Sequence, residues 1–151
     1  MQRGANLAGQ PTRLDDILGL HIRLAHGAVL RHFGEHFAEL DLSQKQVSVL
    51  WLVHDHPGIA QTDLARRMQM DRATTMAIVH ALERKHLLAR AASATDGRRI
   101  ALTLTATGEE ILDAARAAIA QHEAWLTSRF SAAELRQLTA LLRRIHDAPQ
   151  H

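Results

Sequence analysis

The stretch from Ala60 to Thr105 constrains this chain more than any other. Its apolar residues fall first at helical and then at alternating spacing, and that change of period fixes an order of elements. A short helix is expected over Gln61 to Met68, with Leu64, Ala65 and Met68 inward. Gln69-Met70 makes a turn, and Asp71 is a good cap for a second helix from Arg72 to about His86. That helix turns Thr75, Ile78, Val79 and Leu82 inward. Strands follow at Leu87 to Arg90 and Ile100 to Leu104, and the link between them carries Asp96-Gly97-Arg98-Arg99. Two short helices, a tight turn and a basic hairpin are the parts of a winged helix-turn-helix, a module that sets one helix in the major groove of DNA and a wing beside it.

Charge follows the same division. The net charge is only +2, but residues 61–105 hold eight Lys and Arg against four acids, which gives +4 there and −2 elsewhere. A polyanion would be met by the central segment. With no Tyr, three Phe and two Trp, the chain lacks the aromatic platforms on which single-stranded nucleic acids stack.

Long helices flank this centre. From Thr12 to about Leu40, Leu14, Ile17, Leu18, Ile22, Ala25, Val29, Phe33, Phe37 and Leu40 repeat at helical spacing, which predicts one long helix with a bend near Gly34. It is too long for its own small domain to cover, so part of its apolar face is expected to meet another subunit. Ser43 with Gln46 reads as a capping box for a helix carrying Val47, Leu50, Trp51 and Val53, which ends before Pro57-Gly58; Ile59-Ala60 can form a short strand. Thr107 with Glu110 reads as a second capping box, opening a helix to about Arg129 with Ile111, Leu112, Ala115, Ile119, His122 and Leu126 on one side. Ser131 with Glu134 opens the last helix, bearing Leu135, Leu138, Leu142 and Ile145. The expected fold is mainly α with a small β-wing. Residues 1–11 form a flexible tail, 12–42 and 106–151 a helical dimerisation region, and 43–105 the winged helix-turn-helix.

Composition excludes several chemistries. The absence of cysteine removes disulfides, thiolate metal sites and cysteine nucleophiles. There is no Gly-rich phosphate loop and no Gly-x-Ser-x-Gly turn, so an enzyme is not expected. No signal peptide is evident and no stretch nears the ~18 apolar residues of a membrane span, so a cytoplasmic setting and no membrane partner are expected. No cofactor is implied.

On the second short helix, Arg72, Ala73, Thr74, Ala77 and Arg84 lie on the outer face. Arg72 can bond guanine O6 and N7, Thr74 can bond a base edge or touch a thymine methyl, and Ala73 and Ala77 let the helix sit deep. Gln61 and Thr62 begin the preceding helix, where free backbone N–H groups can hold phosphates. Arg98 and Arg99 on the hairpin suit a narrow minor groove, and Asp96 is expected to orient the Arg98 guanidinium through an ion pair.

Together these segments resemble the MarR family, the multiple-antibiotic-resistance regulators. The resemblance rests on Leu42-Ser-Gln-Lys-Gln-Val-Ser-Val-Leu-Trp51, Gln61-Thr-Asp-Leu-Ala65, Asp71-Arg-Ala-Thr74, Leu82-Glu83, and Asp96-Gly-Arg98 followed by Leu102-Thr-Leu-Thr105, and it extends over about residues 12–147. It implies a homodimer in which first and last helices interlock and two winged modules straddle a pseudopalindromic double-stranded operator. It also implies repression relieved by a small anionic aromatic effector. Ala77 departs from the family, where a basic residue is common, so base readout is expected to rest on Arg72 and the wing.

Eleven histidines remain to be explained. His21, Arg23, His26, Trp51 and His54 lie on the first two helices, near the family's pocket; a histidine and an arginine can hold a carboxylate while Trp51 covers a ring. The expected effector is thus an aromatic acid or its thioester. His32 and His36 are four apart and share a helix face, a spacing that suits a metal. A metal-responsive regulator of the same fold, or a winged-helix interaction module that does not touch DNA, are the alternatives.

Overall fold

A computed structural model describes residues 9–147. Among the described residues six α-helices and three strands follow one another: α1 (Leu18–Phe37), α2 (Gln44–Asp55), β1 (Ile59–Ala60), α3 (Gln61–Met68), α4 (Arg72–Arg84), β2 (Leu88–Ala92), β3 (Ile100–Leu104), α5 (Ala106–Thr127) and α6 (Ala132–His146). Most of the tail expected over 1–11 lies outside the described residues, as do 148–151.

The first long helix is shorter than its periodicity suggested. Leu14–Asp16 and Ala38–Leu40 are 3-10 turns, separated from or appended to α1. Ile17 breaks the run with an extended backbone, and Asp41 closes it in the left-handed region at φ 51°. Gly34 stays inside α1.

α2 begins as the sequence dictates. Ser43 Oγ accepts from Gln46 N, and Gln46 Oε1 accepts from Ser43 N, so two orphan donors are satisfied reciprocally. Pro57-Gly58 stops the helix; Gly58 takes φ +84°, open to glycine at no steric cost, and donates to Leu102 O. β3 is central in an antiparallel sheet of order β1-β3-β2, with Ile59 opposite Leu102 and Arg90 also opposite Leu102 from the other side.

α5 starts two residues earlier than its sequence box. The cap is Thr105, not Thr107: Thr105 Oγ1 accepts from Gly108 N and donates to His86 O. Gly108 lies against the backbone of Leu87, where an added Cβ would stand 2.2 Å from the Leu87 carbonyl oxygen. The sheet therefore passes directly into α5, and that junction fixes the cap.

One core joins the helices to the sheet, built from Phe33, Phe37, Val47, Val49, Leu50, Val53, Leu64, Val79, Leu82, Leu102 and Leu112. The two end helices are different. Leu18, Ile22, Leu24 and Leu30 on α1 and Leu138, Leu141, Leu142 and Ile145 on α6 are all at least 37% exposed, and α6 buries no residue. Among the described residues no helix is long and apolar enough to cross a membrane.

Candidate nucleic-acid interface

α3 and α4 form the expected helix pair. Gln69 ends α3 in the left-handed region at φ 52°, a slot that glycine often fills in such turns, and its side-chain amide donates to His146 O at the end of α6. Asp71 then caps α4 twice: Oδ1 accepts from Thr74 N at 2.7 Å and Oδ2 from Thr74 Oγ1 at 3.0 Å. Those bonds from Thr74 hold the Asp71 carboxyl below its ordinary value. They also occupy the Thr74 hydroxyl proton, so Thr74 can meet a base edge only as an acceptor or through its methyl group. Buried Thr75 donates to Asp71 O. The last turn is tied to the sheet by Glu83 and Arg90, 2.6 Å apart.

Arg72, Ala73, Met76 and Ala77 are exposed along one row of α4, and Arg84 is exposed at its far end. The sequence reading had not singled out Met76. It is 43% exposed, one helical turn beyond Arg72, and that spacing was the signal.

The wing differs from expectation in its ionic contacts. Asp96 Oδ1 accepts from the backbone N of Arg98 at 3.1 Å, and Arg99 N donates to Asp96 O. Asp96 thus shapes the turn backbone, and no ion pair to the Arg98 guanidinium forms. An aspartate two residues from a backbone N–H closes a local turn more readily than it reaches a long side chain. Arg99 points back to α3, with Nη2 3.0 Å from Asp63 Oδ2 and donating to Thr62 Oγ1 at 2.9 Å. Asp63 also accepts from Arg66. Arg99 and Thr62, both read as nucleic-acid contacts, therefore join the wing to α3. Asp63, which that reading missed, is the carboxylate between them.

On the groove between wing and α4 two guanidinium groups are left over, and Arg84 at the far end of α4 is a third without a side-chain partner among the described residues. Arg72 and Arg98 make no side-chain hydrogen bond or ion pair among the described residues, and both line a groove of about 240 Å3 with Gln61, Thr62, Ala65, Thr75, Met76, Arg99 and Ile100. Gln61 Oε1 is buried there without a hydrogen-bond partner. α3 has no side-chain cap at Ala60, so its first N–H groups also lack one. The arrangement offers two free cations, an uncapped helix start and a row of small side chains on one face, which can meet a phosphate backbone and the floor of a groove.

The expected ligand residues are spread more widely. His21 donates from Nε2 to Asp15 O, and Arg23 and His26 are exposed on α1. Trp51 lies under Arg116 of α5, whose guanidinium carbon is 5.0 Å from the ring centre. His54 Nδ1 is 2.8 Å from Glu109 Oε2 at the start of α5. Among the described residues no hydrogen bond or ion pair joins any two of the five. Of them only Trp51 lines the groove of about 550 Å3 bounded by Ser48, Leu52, Asp55, Arg67 and Met68. His32 and His36 stack face to face, and no three His, Asp or Glu side chains among the described residues are grouped to hold a metal.

Comparison with known proteins agrees with this geometry. Residues 42–100 match the model of the MarR family. The chain is 31% identical over 130 residues to a protein of Thauera aromatica named "Putative transcriptional regulatory protein for hcr operon", covering 85% of this chain and 78% of that one. It is 25% identical over 129 residues to the homoprotocatechuate degradative operon repressor of Escherichia coli, covering 85% and 87%. Among solved structures, the transcriptional repressor CouR bound to a 23-mer DNA duplex superposes with a TM-score of 0.84 at 30% identity, covering 91% of this chain and 97% of that one. All three are named as regulators or repressors of transcription. With its winged helix-turn-helix set between long helices, the chain belongs to the MarR family of DNA-binding transcriptional regulators.

Proposed function

We propose that this protein is a homodimeric repressor that binds a pseudopalindromic operator and leaves it when a small aromatic acid, or its thioester, binds. The observation that carries the DNA half is the division of the arginines: Arg99, Arg90 and Arg66 are paired within the protein, while Arg72 and Arg98 stand free on one groove. Residues 43–105 are the reader. Residues 12–42 and 106–151 are the dimerisation region, a role supported by the unpartnered apolar faces of α1 and α6.

In this reading Arg72 takes a base edge, Ala73 and Ala77 admit the helix, and Arg98 enters the minor groove. The free backbone N–H groups at the start of α3, at Gln61 and Thr62, donate to a phosphate. The effector half is supported by an indole face on a groove with Arg67 at its rim, and by the relative whose operon is named for the degradation of an aromatic acid. His21, Arg23, His26 and His54 belong to the effector site only if a second protomer or the ligand brings them in.

A gel shift against the chain's own upstream region, repeated over a range of salt, tests the first half. Tight binding whose logarithm falls linearly with log salt is expected; no binding at low salt to that region or to a random duplex library would overturn it. Adding benzoates, hydroxycinnamates and salicylate one at a time tests the second half. Loss of the band with one acid is expected, and calorimetry with no heat from any of them would remove the effector.

A further inference from the structure

The reader leaves one cluster unused, and it is the densest aromatic contact among the described residues. His32 on α1 and His122 on α5 meet through their Nδ1 atoms at 2.7 Å. His122 is only 6% exposed, and His32 is half-buried. The His32 ring is sandwiched, with His36 4.0 Å away on one side and Trp125 3.9 Å away at an interplanar angle of 9° on the other. Phe33 meets His122 edge-on, and Arg129 lies 4.4 Å over Trp125. His36 is itself held, since its Nδ1 donates to His32 O.

Such a contact has a limited proton capacity. One Nδ1 must donate and the other accept, so the pair survives with neither ring charged or with one charged. A second proton puts two N–H groups nose to nose and leaves no acceptor. We propose that the His32–His122 contact is a proton-operated latch between α1 and α5, closed while at most one of the two rings is charged and opened when a further proton charges both.

The surroundings set where it opens. The charged groups acting on the pair come from the same two helices: His36 and Glu35 on α1, Glu123 and Arg129 on α5. Burial holds both rings below the ordinary imidazole value; His36, His122 and Arg129 act the same way on His32, and Glu35 opposes them. For His122, Glu123 opposes burial and His36 adds to it. A group whose pKa is lowered by folding binds fewer protons folded than unfolded. Stability from the latch is therefore complete above about pH 6.5 and is lost as pH falls toward the lowered folded values.

The latch reaches the reader through α5. That helix leaves β3 directly at Thr105, and its Glu109 holds His54 of α2. Freeing α1 from α5 changes the angle at which α5 supports the wing. In the dimer proposed above, that angle sets the separation of the two readers. This last step rests on the repressor reading; the latch itself does not.

The sign of the effect makes the test decisive. Acidification raises the net positive charge of the chain, and added positive charge strengthens binding to a polyanion. A loss of binding on acidification must therefore come from shape. The full chain is assayed against a duplex selected from a random library, between about pH 7.5 and about pH 5.5. We expect the parent to lose about tenfold or more in affinity, and His122→Asn, which keeps a hydrogen-bonding side chain without titrating, to lose little. Thermal unfolding over the same range and proton NMR of the two rings test the latch without DNA. The melting temperature of the parent should fall more steeply with pH than that of His122→Asn or His32→Gln, and the two rings should titrate in two coupled steps. Independent titration of both rings near the ordinary value overturns the latch. So does a melting temperature that follows pH alike in parent and variants. Binding that tightens on acidification with an intact two-step titration overturns only its link to the reader.

Discussion

Arg98 and Arg99 are adjacent, carry the same charge and have opposite assignments. Arg99 is held by Asp63 and Thr62 at the foot of the wing, and Arg98 has a free guanidinium. Arg98→Ala should weaken operator binding and lower the salt slope by about one, since one charge fewer displaces counterions. Arg72→Ala should cost about 1–3 kcal/mol and relax a single base position, which a competition between single-base operator variants would read. Arg99→Ala should act through position instead, with Asp63→Ala reproducing its effect and the double variant adding little to either. Binding titrations of the four proteins close that cycle; full additivity would mean that Arg99 touches DNA directly. The sequence reading gave the ion pair to Arg98, through Asp96, and left Arg99 without one; the structure reverses the two. Which of them found an acid depended on Asp63, more than thirty residues earlier, and only the fold brings it near.

Elements were legible where their ends are chosen locally. Ser43 with Gln46 and Ser131 with Glu134 form the capping boxes their spacing announces, because the partners are four residues of one turn. Thr107 with Glu110 has the same spacing and fails, because Thr105 sits where β3 runs out and Gly108 must pack on the Leu87 carbonyl. A distant contact overrode a local motif. Gly108→Ala should therefore destabilise by about 1–3 kcal/mol through overpacking, although alanine is the better helix former. Chemical denaturation gives the number. A stabilising substitution would mean that the sheet and α5 can part at little cost, and the coupling between wing and helix would then be loose. The ends of α1 were misread for a related reason: periodicity continues through Leu14 and Leu40, but the backbone at Ile17 and Asp41 leaves the helix. The five residues read as a ligand site are not gathered in one place, since spacing along one helix says nothing of the others.

At the scale of the molecule, the apolar residues divide by location. Leu50, Leu64, Leu82, Leu102 and Leu112 are fully buried around the reader and its junction with α5, whereas Leu18, Leu24, Leu141 and Ile145 are nearly half exposed or more on the end helices. A monomer would leave these two faces in water, and contiguous exposed apolar surface of this kind marks an interaction site. Interlocked with a second copy they would form an obligate interface, of the class that buries more than about 2,000 Å2 in all. Leu142→Glu with Ile145→Glu should then yield a monomer by sedimentation, with the helix content by circular dichroism largely kept because neither residue belongs to the reader's core. Operator affinity should collapse by far more than the loss of any single DNA contact, since one reader holds only half of the sites. Half-sites should lie about one helical turn apart, ~10–10.5 bp, in a footprint of the parent. A variant that remained dimeric would mean that α6 is covered by something other than its copy. A monomer that still bound the operator tightly would mean that one winged module suffices, and the two-fold arrangement would lose its purpose.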